Sequence, residues 1–112
     1  MNGANRKRKR KMIIVGGYID MESEAEIAAI LEAGNEMVAE TLKESGCVDY
    51  CFSIDIGNPC RIRLFEVWID QNALDAHMQT PHMAKFMGTI MEAKRAGASV
   101  SAYEAGGATK LM

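Results

Sequence analysis

No hydrophobic run in the sequence approaches the length of about 20 residues that a membrane span needs. It also has no long apolar core of the kind that a secretory signal requires. The stretch MIIV follows the basic residues 6–11 and ends before Gly16, whereas a signal core needs about 7–15 apolar residues. We therefore expect neither a membrane segment nor export, and the predicted location is the cytoplasm.

Cysteine is scarce, and its spacing matches no common metal or redox motif. The three cysteines, Cys47, Cys51 and Cys60, form no CxxC pair and leave an odd number. If Cys47 and Cys51 share a strand, their Cα atoms are about 13 Å apart, which is beyond the reach of a disulfide. We predict three reduced, mostly buried thiols and no metal site.

Positive charge is concentrated at one end of the chain. Residues 6–11 hold six of the 13 lysines and arginines, so the rest of the chain carries 7 basic against 15 acidic residues, a net charge of −8. An acidic body of this kind is a poor partner for nucleic acid. We predict that residues 1–11 form a flexible, solvated tail, and we expect no nucleic-acid ligand.

The first part of the chain has the pattern of a strand followed by a long helix. Residues 12–20 are apolar and rich in β-branched side chains, which favours a strand. Ser23 and Glu26 have the spacing of a capping box, in which each side chain binds a backbone amide at the helix start. The helix is predicted to end at Gly46. Its apolar stripe consists of Ile27, Ile30, Leu31, Gly34, Met37, Val38 and Leu42.

Residues 47–70 are predicted to form a β-hairpin. The turn is expected at residues 57–60, whose sequence GNPC is typical of turns, and the second strand at residues 61–70. Residues 47–56 alternate in polarity, which indicates a strand with one apolar face. The residues expected on that face are Val48, Tyr50, Phe52, Ile54 and Ile56.

Two helices and a last strand are predicted after the hairpin. Asp70 is placed to cap a short helix, and Thr80 caps the next one. Pro81 stands at the first helical position, where its missing N–H costs nothing. This second helix is predicted to end at Gly97, and a weaker strand follows over residues 98–105.

The element order β-α-β-β-α-β is typical of the α+β ferredoxin-like fold, an antiparallel sheet with helices on one face. One predicted strand is nevertheless apolar on both sides. Its residues Phe65, Val67 and Ile69 point one way, and Leu64 and Trp68 point the other way. Because a monomer would leave one of these faces in water, we predict a two-fold homodimer packed sheet to sheet.

Three segments resemble the antibiotic biosynthesis monooxygenase family: ETLKESGCVDY (40–50), RLFEVWIDQNALDAHMQTPHMAKF (63–86) and VSAYEA (100–105). The second segment is the most specific and is most similar to the bacterial quinol monooxygenases. The resemblance covers residues 12–105, which it implies are one domain of a dimeric α+β barrel. It leaves the basic tail and a C-terminal tail, residues 106–112, unmatched.

The resemblance implies oxygenation of a quinol- or anthrone-like aromatic by O₂ without flavin, haem or metal. We accordingly expect a cofactor-independent monooxygenase whose partners are a second subunit, a small aromatic substrate and O₂. The haem-degrading branch does not match, because the position of its histidine holds Met87 here. Two alternatives stay open. One is a non-catalytic small-molecule-binding or stress-response dimer, and the other is an isomerase of a small phosphorylated carbonyl compound that would use Arg61 or Arg63.

His77, His82 and Glu66 are the predicted catalytic residues. A histidine titrates near neutral pH, so His77 can serve as a general base. His82 lies near a helix start, where the dipole favours the neutral imidazole, which can accept a proton or polarise a carbonyl. Glu66 is a carboxylate within an apolar strand and needs a partner, which we expect to be His77 or His82.

Five further residues are predicted to bind substrate. Trp68 lies on the same face as Glu66 and can form a wall for an aromatic ligand, together with Phe86. Tyr18 and Tyr50 carry phenols that can donate a hydrogen bond to a substrate oxygen. Gly17 weakens its strand without a gain in packing, which indicates a bulge or room for a ligand. Each catalytic or binding candidate can instead be structural, as an ion pair or a core side chain.

Overall fold

The computed structural model describes residues 11–112, which form one four-stranded sheet and three helices. The strand order is β2-β3-β1-β4, and each pair of neighbours is antiparallel. This arrangement is the predicted ferredoxin-like fold. The elements in chain order are β1 (Met12–Met21), α1 (Glu24–Thr41), β2 (Cys47–Asp55), β3 (Asn58–Trp68), α2 (Gln71–His77), α3 (Pro81–Glu92) and β4 (Arg95–Ala105).

The two ends of the described chain lie outside the strands and helices. Of the predicted basic tail, residues 1–10 lie outside the described residues. Lys11 lies near the end of β4, with its Nζ atom 4.0 Å from Oε1 of Glu104. After β4, residues 106–112 continue without helix or strand.

The two faces of the sheet differ in burial. Register between β1 and β3 places Ile13 opposite Trp68 and Val15 opposite Glu66, on the face that the helices cover. The buried core lies on this side. Phe65 points to the uncovered face and is 44% exposed. The predicted division of β3 into two opposite faces is therefore confirmed.

All three helices begin where the sequence predicts. The side chains of Ser23, Asp70 and Thr80 each accept a hydrogen bond from the backbone amide three positions later, a donor that has no partner within the helix. Pro81 occupies the first turn of α3. Within residues 11–112, none of the helices has both the length and the hydropathy required to cross a bilayer.

The last helix ends earlier than predicted. It stops at Glu92 rather than Gly97. The backbone N–H of Lys94 donates to Oε1 of Glu26 at 2.7 Å, and its carbonyl accepts from the amide of Glu22 at 2.9 Å. These bonds hold the chain at the end of the sheet. Residues that were expected to continue the helix therefore pair with β1 as part of β4.

The segment after α1 also differs from the prediction. The helix ends at Thr41 rather than at Gly46. The amide of Glu44 then donates to the carbonyl of Thr41 at 2.9 Å, and the amide of Cys47 donates to the carbonyl of Glu44 at 3.1 Å. These turns place Glu44 in a compact loop between α1 and β2.

The predicted alternation of β2 is wrong at both ends of the strand. Cys47 and Asp49 pair with consecutive residues of β3, so Val48 is an extra residue in a β-bulge. Val48 consequently does not share the buried face of Tyr50 and is exposed. Ile56 lies in the hairpin turn and is also exposed, because β2 ends one residue before it.

The three cysteines are free thiols, as predicted, but the prediction that they are mostly buried is wrong. Cys51 is exposed, and Cys47 and Cys60 are partly exposed. Cys51 pairs with Phe65 across β2 and β3, which places its side chain on the uncovered face of the sheet.

Gly17 allows β4 to pass close to β1. Its φ of +149° is strained for any residue with a side chain, and a Cβ atom there would collide with the backbone carbonyl oxygen of Ser99. The irregularity between β1 and β4 lies at Asp20 and Met21, so the bulge predicted at Gly17 is wrong. The glycine instead makes room for a neighbouring backbone.

Candidate active site

A largely apolar cavity of about 350 Å³ lies between the helix-covered face of the sheet and helices α2 and α3. Its size falls within the range of pockets that hold small molecules. The titratable side chains on its wall are those of Tyr50, Glu66 and His77. The apolar lining includes Val15, Phe52, Leu74, Met83, Phe86 and Met87.

His77 is the last residue of α2 and is 1% exposed. Its ring packs against those of Trp68 and Tyr50, at centroid distances of 4.7 Å and 5.4 Å. Its Nδ1 atom lies 2.8 Å from Oε2 of Glu44. Because a carboxylate accepts hydrogen bonds, Nδ1 carries the hydrogen, and the neutral ring keeps its lone pair on Nε2. Glu44 thus orients His77 to accept a proton through Nε2.

Glu44 binds both histidines through one atom. His82, the second residue of α3, places its Nε2 atom 2.7 Å from the same Oε2 atom of Glu44. This carboxylate therefore connects the α1–β2 loop to the end of α2 and to the start of α3. Within the described chain, the cavity wall includes His77 but not His82. His82 accordingly reaches the cavity through Glu44 and His77.

Glu66 has a different partner from the one predicted. Its Oε1 atom accepts a hydrogen bond from the indole Nε1–H of Trp68 at 2.9 Å, whereas the histidines bind Glu44. Burial raises the pKa of the Glu66 carboxyl above its ordinary value, although the bond from Trp68 and the proximity of His77 act in the opposite direction. A buried carboxyl of this kind can hold a proton and deliver it within the cavity.

Tyr50 lines the same cavity, and its hydroxyl lies within hydrogen-bond reach of the buried Thr41. Burial and the nearby carboxylates of Glu66 and Glu44 raise the pKa of its phenol above the usual value, so the hydroxyl keeps its hydrogen. Its ring packs against Phe52 at a centroid distance of 5.3 Å and against His77. A phenol fixed in this way can donate a hydrogen bond to a developing oxyanion.

Three of the predicted substrate-binding residues lie at or near the cavity. Phe86 and Tyr50 line it directly. Trp68 is fully buried outside the lining, and its contacts with Glu66 and His77 hold those two side chains in place. Gly17 contributes indirectly, because it brings in β4, whose residues 100–102 line the cavity.

Tyr18 lies on the uncovered face, with the Arg61 guanidinium stacked 3.7 Å from its ring centroid. Arg61 binds both carboxylate oxygens of Asp20 at 2.7 Å and 2.8 Å, and Arg63 binds Asp55 at 2.6 Å. The phenol of Tyr18 and the two arginines expected for a phosphate site are therefore remote from the cavity of this chain. The hydrogen bond from Arg61 also holds the pKa of Asp20 below its ordinary value.

Glu44 was not identified from the sequence, although both histidines bind it. It is 33 residues from His77 and 38 residues from His82, within the polar stretch KESG, where a glutamate is ordinarily a solvated charge. The available signal was the histidine pair itself. Two histidines five residues apart, at the end of one helix and the start of the next, can share one acceptor, but the sequence does not identify the loop that provides it.

Residues 12–89 match the family model of the antibiotic biosynthesis monooxygenases. Because this match covers most of the chain, the protein belongs to the antibiotic biosynthesis monooxygenase family, as the segments around Glu66 and His77 predict. A curated relative, an uncharacterised protein of Synechocystis sp., is 29% identical over 75 residues, which are 67% of this chain and 50% of that protein. The matched region thus spans half the length of this relative.

Solved structures support the same assignment of the fold. A Deinococcus radiodurans protein proposed to be an antibiotic biosynthesis monooxygenase superposes with a TM-score of 0.81 at 24% identity, covering 89% of this chain and 98% of that one. A Bacteroides thetaiotaomicron protein of unknown function, described as a possible oxidoreductase, has a TM-score of 0.75 at 27% identity, with coverages of 85% and 98%.

Proposed function

We propose that this protein is a monooxygenase that oxidises a quinol- or anthrone-like aromatic with O₂ and needs no cofactor. The observation that carries the proposal is the meeting of His77, Glu66 and Tyr50 in one apolar cavity, with Glu44 fixing the orientation of His77. Membership of the monooxygenase family supports the reaction class. The largely apolar lining, which includes Met37, Met78, Met83 and Met87, suits an aromatic substrate.

The first step is removal of a proton from the substrate. A hydroxyl of the aromatic ring donates to Nε2 of His77, which becomes an imidazolium beside the carboxylate of Glu44. The resulting substrate anion gives an electron to O₂ far more readily than the neutral quinol does. Tyr50, which lines the cavity, is the proposed hydrogen-bond donor that stabilises the negative charge on the substrate oxygen.

Oxygen insertion then needs no electrons from outside. The substrate anion transfers one electron to O₂, and the radical pair combines to form a carbon–oxygen bond and a peroxide. Cleavage of the O–O bond leaves one oxygen atom on the ring and releases the other as water, with the substrate supplying all four electrons. The protons for that water come from the substrate, through His77 and the Glu66 carboxyl, whose pKa is raised by burial.

The test is oxygen consumption by metal-stripped protein with a reduced naphthoquinol or an anthrone. Wild type should consume O₂ faster than the uncatalysed autoxidation, and His77→Gln should lower kcat by about 100-fold or more. His82→Gln is the matched control, because it removes the second histidine that binds Glu44 but leaves His77 on the cavity wall. Equal rates for wild type and His77→Gln contradict the assignment of the base.

We also propose that the functional unit is a homodimer, formed through the uncovered face of the sheet. Phe65 is 44% exposed and Tyr103 is 59% exposed on this face. Large aromatic side chains on a sheet face without helices favour a partner surface over solvent. The symmetric partner that this requires is a second copy of the chain.

The main alternative from another class is a non-catalytic small-molecule-binding dimer. It predicts that the same aromatic compounds bind in the cavity, with no O₂ consumption above autoxidation. An isomerase of a phosphorylated carbonyl compound is less well supported, because Arg61 and Arg63 lie on the opposite face and bind Asp20 and Asp55. It predicts binding that depends on phosphate and is lost in an Arg61→Ala variant.

A further inference from the structure

We propose that Glu44, His77 and His82 form a binding site for a divalent transition-metal ion of the Zn²⁺ type. The three side chains come from the α1–β2 loop, the end of α2 and the start of α3. They each offer one ligand atom, and the three atoms lie within 4.8 Å of one another. Two imidazoles and one carboxylate are a ligand set that Zn²⁺ commonly uses with water as the fourth ligand.

The nitrogen–oxygen contacts within this cluster are shorter than the distances between ligand atoms around a coordinated ion. Nδ1 of His77 and Nε2 of His82 lie 2.8 Å and 2.7 Å from Oε2 of Glu44. Tetrahedral coordination at the usual Zn–N and Zn–O lengths separates neighbouring ligand atoms by about 3.3 Å. For an ion to replace the two hydrogens, Oε2 of Glu44 has to move away from each of the two nitrogens by roughly 0.5 Å. The two nitrogens must also approach each other.

Burial of the cluster is uneven in a way that suits a site with one open position. The side chain of His77 is 2% exposed and packs against Trp68 and Tyr50, which fixes its ring. The side chains of Glu44 and His82 are 16% and 15% exposed. An ion can therefore enter from the side of these two residues, and a water molecule can complete its coordination there.

The ion would change what His77 can do in the cavity. Coordination through Nδ1 requires the lone pair on that atom, so the hydrogen of the neutral ring moves to Nε2. Nε2 then donates a hydrogen bond and no longer accepts a proton. If His77 is the base, a consequence that rests on the proposed function, the metal-bound protein is inactive as an oxygenase and regains activity when the ion is chelated.

The binding test needs no substrate, so its result is independent of the proposed reaction. Untagged protein is stripped with a chelator and titrated with Zn²⁺ by calorimetry, and Co²⁺ serves as a spectroscopic probe. We expect one ion per chain, and Glu44→Gln should weaken binding by at least about tenfold, since even outer contacts of metal ligands are worth that much. Glu40→Gln is the matched control, because Glu40 lies near His82 but binds Lys43.

Two further readouts keep the proposal falsifiable if a variant fails to fold. In wild-type protein, nitrogen NMR should show Nδ1 of His77 and Nε2 of His82 shifting when Zn²⁺ is added. The Co²⁺ spectrum should lack an intense thiolate band, which would reveal binding through Cys47, Cys51 or Cys60. Unshifted histidine nitrogens, a thiolate band, or equal weakening by Glu44→Gln and Glu40→Gln would overturn the site.

Discussion

Trp68 lies two positions after Glu66 on the same strand and donates its indole N–H to Oε1 of Glu66 at 2.9 Å. Both side chains are buried, at 0% and 6% exposure. Residues i and i+2 of a strand lie on one face, so the tryptophan can supply a donor to its neighbour without any loop. This bond holds a carboxyl group in a largely apolar cavity wall and compensates part of the cost of burying it.

Trp68→Phe should therefore destabilise the protein by more than the loss of side-chain volume alone would. The substitution leaves a buried acceptor without its donor, which costs about 1–3 kcal/mol in the free energy of unfolding. Urea denaturation of wild type, Trp68→Phe, Glu66→Gln and the double variant measures the interaction. We expect a coupling of at least about 0.5 kcal/mol between the two positions, and strictly additive effects would contradict the importance of this bond.

Stability should fall as the pH rises through the titration of Glu66. Burial raises the pKa of this carboxyl in the folded state above the ordinary value of 4.5, so the folded protein binds more protons than the unfolded chain over that interval. The stabilisation that protonated Glu66 gives the folded protein is complete below the ordinary pKa of the carboxyl and is lost above its folded-state pKa. Glu66→Gln should flatten this decline in unfolding free energy as the pH rises above 4.5.

Glu32→Gln is the matched control for that measurement. Glu32 lies on the exposed side of α1, and its replacement makes the same change in charge. It should leave the dependence of unfolding free energy on pH close to that of wild type. Equal slopes for Glu66→Gln and Glu32→Gln would show that the buried carboxyl does not control the decline.

Gly17→Ala should be destabilising, and Gly16→Ala should be nearly neutral. At Gly17 the backbone conformation is strained for alanine, and the new Cβ would collide with the carbonyl of Ser99, so we expect a loss of about 2 kcal/mol or more. A Cβ at Gly16 would meet no other described atom within 4 Å. Thermal unfolding of both variants tests this, and equal losses would contradict the role of Gly17 in placing β4.

Phe65→Asp should dissociate the proposed homodimer. A charge in the centre of the uncovered face would be buried without a partner on association, which costs several kcal/mol. Light scattering after size-exclusion chromatography should report a dimer for wild type and a monomer for this variant. Ile56→Asp is the control, because Ile56 is fully exposed in the hairpin turn and should leave the dimer intact. A monomeric wild type would refute the proposal directly.

Local chemistry explains why much of the fold was predictable. The caps at Ser23, Asp70 and Thr80 depend on hydrogen bonds within one turn, so the sequence indicates them directly. The two faces of β3 follow from alternation with a period of two. Family-specific residues around Glu66 and His77 indicated the region of the cavity, although the sequence could not show which of them line it.

The features that were missed depend on contacts between distant segments. Lys94 binds Glu26, 68 positions earlier, and this contact ended α3 before its local pattern predicts. The bulge at Val48 depends on register with β3, which alternation within one strand does not encode. Glu44 is the clearest case, because its role depends on where two later helices pack. Identifying it required the tertiary structure.

The shared oxygen of Glu44 also links the orientation of His77 to the completion of folding. Its two hydrogen bonds span 33 and 38 residues, so the orientation of His77 is established when the α1–β2 loop and both later helices have docked. Closing loops of this length costs conformational entropy that contacts within one helix do not. A partly folded chain with native helices would therefore lack the contacts that orient His77, the base of the proposed reaction.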